Sequence, residues 1–149
     1  MRTLLTMSPV LPSFLYLISH TPSTGPGGAG EVFELTPVSG GWLNHIIHGF
    51  TGGNDGAGPN SPLVQDASGN LYGTAGGGSG GDGIVFEISR TATSWHKTTL
   101  QNFTGVNGVG PSGVILDSAA NLYGVTAEGG PLSNGNAYEL SPPSSEVAQ

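Results

Sequence analysis

Three glutamates recur at one position of a repeated segment and are the first side chains here that could do chemistry. Glu34, Glu87 and Glu139 each stand between an aromatic residue and an aliphatic one. A half-buried carboxylate must be paired, so we expect each to accept hydrogen bonds from backbone N–H groups of an adjacent loop. Calcium binding is the alternative, but repetition in every unit favours a structural role over a single active site.

Four aspartates lie in turns or glycine-rich loops. Asp66 and Asp117 precede short turns, and we predict that both cap them in Asx-type turns. Calcium requires several converging oxygen ligands, and the spacing of an EF-hand loop is missing. Asp55 and Asp82, in glycine-rich loops, are the remaining candidates for a weak calcium site.

Other metal and nucleophile sites are disfavoured by residue type and spacing. His45 and His48 are three positions apart, which on a regular strand predicts opposite faces and no shared metal. The chain has no cysteine, which excludes thiolate catalysis and cysteine-based zinc sites. There is no Gly-x-Ser-x-Gly elbow, and the glycine-rich loop 76–83 lacks the Gly-Lys-Ser/Thr ending of a phosphate loop. We therefore predict no catalytic residues and no cofactor, with calcium as the alternative noted above.

Four aromatic residues are candidates for ligand binding. Trp42, Trp95, Tyr72 and Tyr123 could stack on sugar rings, which would make the chain a glycan binder. Each stands at a fixed position of the repeat, however. We therefore favour core packing for all four.

The charge balance excludes one class of partner. The chain carries ten acidic and three basic residues, a net charge of −7. Nucleic-acid binders need clustered Lys and Arg, so no nucleic-acid partner is expected. The longest apolar stretch, Val10 to Ile18, is far shorter than the roughly 20 residues of a membrane span. Low lysine content and acidity favour an extracytoplasmic or secreted location.

These side chains belong to a tandem repeat of about 53 residues. The segment 30–35 returns 53 residues later at 83–88 and again at 135–140, and the segment 66–73 returns at 117–124. Short apolar clusters between Gly, Asn and Asp turns predict β-strands throughout and no helix. The predicted strands are Phe14–Ile18, Glu31–Thr36, Trp42–Phe50, Pro62–Asp66, Asn70–Ala75, Ile84–Ser89, Ser94–Phe103, Gly113–Asp117, Asn121–Thr126 and Asn136–Leu140.

Four strands in a repeat of this length are typical of a β-propeller blade. We predict an all-β fold of antiparallel four-stranded blades, about two and a half repeats, and thus an incomplete propeller. Other blades or copies of the same chain are the expected partners. Residues 30–142 form the repeats and 143–149 a tail. Residues 1–29 are either a decayed partial repeat, read from Leu15-Tyr16, or a weak signal-like segment.

The recurring Gly-x-Val-Phe-Glu-Leu-Thr-Pro, Trp, His-x-Phe-x-Gly-Gly-x-Asp-Gly and Asp-x-x-Gly-Asn-Leu-Tyr-Gly-Thr motifs resemble the GloVer repeat of bacterial extracytoplasmic proteins. They are more distantly similar to NHL-type propeller repeats. The resemblance implies an exported repeat protein and no established activity. The leading hypothesis is a non-enzymatic structural or interaction module, part of a larger propeller. The alternatives are a carbohydrate-binding propeller, with weak calcium sites, and a propeller-type hydrolase or lyase.

Overall fold

The computed structural model describes residues 15–19 and 28–141, and these ranges fold almost entirely into antiparallel β-structure. The all-β prediction is confirmed. The strands are β1 (Leu15–Ser19), β2 (Glu31–Val38), β3 (Gly41–Gly49), β4 (Ala57–Pro59), β5 (Val64–Gln65), β6 (Leu71–Gly76), β7 (Ile84–Arg90), β8 (Trp95–Asn102), β9 (Val109–Leu116), β10 (Leu122–Glu128) and β11 (Ala137–Leu140). One 3-10 turn, Gly53–Asp55, departs from the prediction of no helix.

The strands form three sheets in chain order. The N-terminal sheet is β1-β2-β3, the middle sheet is β4/β5-β6-β7-β8, and the C-terminal sheet is β9-β10-β11. In the middle sheet β4 and β5 both pair with β6, so the first strand is interrupted rather than continuous over the predicted 62–66. Pro62 lies in the interruption, as expected for a residue that cannot donate to a strand ladder.

The same register recurs in all three sheets. A tyrosine of one strand pairs in register with a glutamate of the next in each case: Tyr16 with Glu34, Tyr72 with Glu87, and Tyr123 with Glu139. The strand β1 thus occupies the place of the Leu-Tyr-Gly strand of the repeat. The signal-like interpretation of residues 1–29 falls mainly on residues 1–14 and 20–27, outside the described residues, as does the tail.

A β-bulge also recurs. The β2–β3 register skips Ile47, and the β7–β8 register skips Leu100, which is 53 positions further along. A bulge adds one residue to one strand of a pair, so the side chains beyond it change faces.

The bulge at Ile47 overturns the predicted placement of two histidines. His45 pairs with Glu34 and His48 pairs with Val32, and these two β2 residues are two positions apart on one face. His45 and His48 therefore lie on the same face of the N-terminal sheet. The prediction of opposite faces was wrong because it assumed an unbroken pleat.

The middle sheet is buried on both faces. Towards the N-terminal sheet, Phe86, Ile84 and Ile88 pack in a cluster with Val32, Ile47, Phe50, Leu71 and Ala75. Towards the C-terminal sheet, Val85 and Tyr72 pack with Phe103, Val114 and Leu122. Burial on both faces explains why the strand Ile84–Arg90 lacks the apolar–polar alternation of a half-exposed sheet.

One turn has a suboptimal residue, and this gives a stability prediction. The turn after Asp66 places Gly69 at φ 89°, and its copy after Asp117 places Ala120 at φ 65°. A left-handed conformation is unfavourable for alanine, so Ala120→Gly is expected to raise the free energy of unfolding by about 0.5–1 kcal/mol. The converse change, Gly69→Ala, should lower it by a similar amount, since a Cβ there meets no atom within 4 Å. Urea unfolding of both variants measures the two changes in the free energy of unfolding. Changes in the same direction would contradict the prediction.

Candidate functional site

A buried lysine joins the middle sheet to the 3-10 turn that precedes it. We call His48, Thr51, Asp55 and Lys97 the charge cluster. The ammonium of Lys97 donates to the backbone oxygen of Asp55 at 2.7 Å and to its Oδ1 at 3.1 Å. It also donates to Thr99 Oγ1 at 2.9 Å, and its side chain is only 6% exposed. The lysine is thus fully engaged by protein oxygens.

His48 completes the cluster from the N-terminal sheet. Its Nε2 lies 3.3 Å from each carboxylate oxygen of Asp55, and its ring meets Phe50 edge-on at 4.7 Å between centroids. Burial lowers the pKa of His48 below its ordinary value, and Lys97 adds to this, although Asp55 pulls in the opposite direction. The neutral imidazole is therefore the favoured form at neutral pH.

Asp55 caps its own loop as well as pairing with Lys97. The backbone N–H of Thr51 donates to Oδ2 at 2.9 Å. Burial raises the pKa of Asp55, but the hydrogen bonds from Thr51 and Lys97 and the nearby positive charge outweigh it and leave the pKa below its ordinary value. In the next unit Asn107 accepts from the Thr104 backbone N–H at 2.7 Å in the same way. Loop capping is therefore the shared role of this position.

The charge cluster predicts a loss of stability on acidification. Because the pKa of His48 is lower in the folded state, the unfolded chain binds its proton more readily below about pH 6.5, the ordinary value. The free energy of unfolding should therefore fall as the pH drops below that value. His48→Gln, which introduces the residue that the next unit carries as Gln101, should flatten the profile between pH 7 and 5. Urea midpoints across this range test it; identical profiles for both proteins would contradict it.

Asp82, the other predicted calcium candidate, lies in the loop 77–83 between β6 and β7. Its backbone oxygen accepts from the Gly110 N–H at 2.8 Å, which ties this loop to the start of the C-terminal sheet. Within residues 15–19 and 28–141, no three His, Cys, Asp or Glu side chains come together as a metal site. Calcium binding at Asp55 or Asp82 stays a prediction.

Asp66 and Asp117 organise the two copies of the same turn. Asp66 accepts from the backbone N–H groups of Ser68 and Asn70 at 2.8 and 2.9 Å, and from the side chains of Asn70 and Tyr72 at 2.8 and 3.0 Å. Asp117 accepts the corresponding bonds from Ala119, Asn121 and Tyr123. This is the geometry of an Asx turn. Burial raises the pKa of Asp66, but these hydrogen bonds outweigh burial and leave the pKa below its ordinary value, so the carboxylate stays ionised at neutral pH.

A cleft of about 610 Å³ lies beside the first strands of the middle and C-terminal sheets. Its lining includes Asn60, Ser61, Ile115, Tyr123, Val125 and Tyr138. The polar groups at one end are bonded to each other through Thr74: its hydroxyl donates to Asn60 Oδ1 at 2.7 Å and lies 2.9 Å from Ser61 Oγ. The Gly113 N–H donates to the same hydroxyl at 3.0 Å, so this network ties two sheets together.

Comparison with known proteins identifies the family to which this repeat belongs. A family model described as the Gloeobacter/Verrucomicrobia repeat matches residues 14–149. The chain belongs to this repeat family. No curated protein and no solved structure matches it. The match covers β1 and all three sheets, so the recurring turn, register and bulge lie within the matched region of the Gloeobacter/Verrucomicrobia repeat.

Each recurring glutamate of this repeat pairs with a tyrosine in the strand register. Glu139 accepts from the hydroxyl of Tyr123 at 3.3 Å, a side-chain donor rather than the backbone N–H that we expected. Burial and the nearby Asp66 carboxylate raise the pKa of Glu87. Burial, with Asp66 and Glu87 close by, raises the pKa of Tyr72 to about 12, so it remains a hydrogen-bond donor at neutral pH.

The four aromatic candidates have different surroundings. Tyr72 is buried in the core, and Tyr123 lines the cleft. Trp95 packs against the apolar cluster between the N-terminal and middle sheets, and the Arg90 guanidinium lies 5.4 Å from its ring centroid. Trp95 also lines a separate groove of about 430 Å³. Trp42 is half exposed on the N-terminal sheet. Glycan stacking on these residues stays a prediction.

Sequence reasoning missed Lys97 as a structural residue. Its partner, Asp55, is 42 positions away in a different unit, and Lys97 has Asn44 as its counterpart in the N-terminal unit. The signal that could have found the Asp55 cap was available: Thr51 and Thr104 are offset by 53, and Asp55 and Asn107 by 52.

Proposed function

We propose that the chain is a non-enzymatic structural or interaction module of an exported protein, in which sheets of the repeat stack as the blades of an incomplete propeller. The observation that carries this proposal is the burial of the middle sheet on both faces by neighbouring sheets of the same repeat. Such stacking is how blades and other repeat units bury a continuous core.

The state of the polar side chains supports a structural role over catalysis. Asp55, Asp66 and Asp117 cap turns, and Lys97 is bonded to protein oxygens. A catalytic group needs free capacity towards a substrate, and these groups spend theirs on loops and turns. No observation in the described region favours the hydrolase or lyase alternative.

Export is proposed from composition and family. The acidic, lysine-poor composition and the resemblance to extracytoplasmic repeats support it. Within residues 15–19 and 28–141, no helix has the length and apolar character needed to cross a bilayer. Fractionation of cells that express the full-length gene product tests the location directly; recovery of the protein only with cytosolic markers would contradict it.

An added repeat tests the structural proposal. Pro59 and Pro111 hold equivalent positions, so a second copy of residues 59–110 can be inserted after Gly110 without breaking the repeat. If units stack as a linear array, the insert should raise both the urea midpoint and the m-value. The control is an insert of the same composition in scrambled order. A lower midpoint for the intact insert, or two separate transitions, would contradict the proposal.

A glycan-binding role is the second candidate, and the cleft favours it. Tyr123 and Tyr138 offer aromatic rings there, and Asn60 offers an exposed polar side chain, a combination found in ligand sites. Calorimetric titration with plant and bacterial oligosaccharides, with calcium or chelator, tests this role. Binding that Tyr123→Ala abolishes and Trp42→Ala leaves intact would support it; no heat with any glycan would contradict it.

A further inference from the structure

The outer face of the C-terminal sheet exposes apolar residues at positions that are covered in the middle sheet. Ile115 is 68% exposed and Val125 is 53% exposed. Val125 pairs with Ala137, just as Thr74 pairs with Val85 in the middle sheet, so Thr74 is its counterpart. Thr74 is fully buried, because the C-terminal sheet covers it. The difference between the two sheets is thus the lack of a covering sheet among the described residues.

The opposite end of the stack has the matching face, which no other sheet of the described residues covers. Val32 packs towards the middle sheet, so its neighbour Phe33 points away from it. Phe33 and Trp42 correspond in the repeat to Phe86 and Trp95, which pack against the preceding sheet. Trp42 is 50% exposed at this end, and Ile46, opposite Phe33, is 39% exposed.

We propose that the two end faces bind each other between copies of this chain, head to tail. The chain already forms such an interface internally. The face of the middle sheet that carries Thr74 and Val85 packs on the face of the C-terminal sheet that carries Leu122 and Tyr138. A second copy would place Phe33 and Leu35, the counterparts of Tyr138 and Leu140, over Val125 and Ala137 of the first. This inference rests on the proposed stacking of repeat units.

Head-to-tail contacts between different surfaces give rings when they close and filaments when they do not. Residues 15–19 and 28–141 of one chain form three sheets, so these residues of two copies form six. Six lies within the roughly four to eight blades at which propellers close. A ring of two chains would therefore cover both end faces of the described sheets.

Mass measurement tests the association. Light scattering on a sizing column should give about twice the chain mass of 15.0 kDa, or larger multiples if the contact stays open. Val125→Lys should weaken association at least tenfold. Val106→Lys is the matched control, because Val106 is 82% exposed but lies in the loop between the middle and C-terminal sheets. A monomeric wild type at all concentrations, or equal effects of both variants, would overturn the proposal.

Cross-linking tests the polarity. The chain has no cysteine, so Val125→Cys labels the C-terminal face and Ile46→Cys labels the N-terminal face without background. With a short bis-maleimide, a mixture of the two variants should give covalent dimers, and each variant alone should not. Dimers from either variant alone would show like faces meeting and would overturn the head-to-tail arrangement, as would the absence of dimers from the mixture.

The two proposals fail in different ways. If the added repeat stabilises the chain but the wild type is monomeric, units stack within a chain and the proposed binding between end faces is wrong. If the added repeat destabilises the chain, the stacking proposal itself is wrong, whatever the mass. Circular dichroism of each variant confirms that losses of association occur in a folded protein.

Discussion

Lys97→Met is expected to lower the free energy of unfolding by about 2–4 kcal/mol, somewhat less than the roughly 3–5 kcal/mol typical of breaking a fully buried pair. Among the described residues, the Asp55 carboxylate has two ion-pair partners, Lys97 and His48. Because His48 is neutral at neutral pH, Lys97 supplies the positive charge. Removing it leaves that carboxylate and the Asp55 backbone oxygen without their charged donor. The side chain of Asp55 is 23% exposed, so water compensates for part of the loss.

A second substitution, at Asp55, separates the effect of losing the ion pair from the effect of losing the packing of the Lys97 side chain. In Lys97→Met with Asp55→Asn, the uncompensated charge is gone, and an asparagine at this position can still cap the loop, as Asn107 does. The double variant should therefore recover part of the stability lost in Lys97→Met. Urea unfolding at pH 7 measures four proteins: the wild type, Lys97→Met, Asp55→Asn and the double variant. If the double variant is as unstable as the sum of the single variants, Asp55 and Lys97 are not coupled, and the role assigned to the charge cluster is wrong.

The sequence predicted the repeating part of this fold because its information is local. The offsets of about 53 residues and the alternating apolar clusters placed most strands within a few residues of their observed ends. The turns at Asp66 and Asp117 were also predictable, since all the hydrogen-bond partners described for each aspartate lie within six positions of it. These features depend on short-range chemistry that the residue types specify.

Other features depended on strand pairing or on contacts distant in sequence. The bulge at Ile47 is a property of how β3 pairs with β2, and it moved His48 to the face that meets Asp55. The lysine of the charge cluster comes from another sheet. The interrupted first strand of the middle sheet was likewise hidden, although Pro62 marks it in retrospect. Periodicity within one segment reveals neither a register shift nor a partner in another unit.

Phe86→Ala is expected to lower the free energy of unfolding by about 3–5 kcal/mol, the usual cost of emptying a large buried aromatic site. Phe86 is fully buried, and its ring meets that of Phe50 at 5.3 Å between centroids. A Cβ at Gly73 would lie 2.8 Å from the Phe86 ring, which shows how closely the ring approaches the neighbouring strand. Such a site has little freedom to collapse after truncation.

Phe33 is the matched control, because it holds the same position in the repeat but is only partly buried, on the end face of the N-terminal sheet. Phe33→Ala in the monomer should cost much less, on the order of 1–2 kcal/mol, since less apolar area leaves contact. Urea unfolding at low protein concentration compares the two. Equal costs would contradict the assignment of Phe33 to an uncovered face. If the end faces bind each other, the cost of Phe33→Ala should grow with protein concentration, while the cost of Phe86→Ala should not. The reason is that only Phe33→Ala would remove an intermolecular contact.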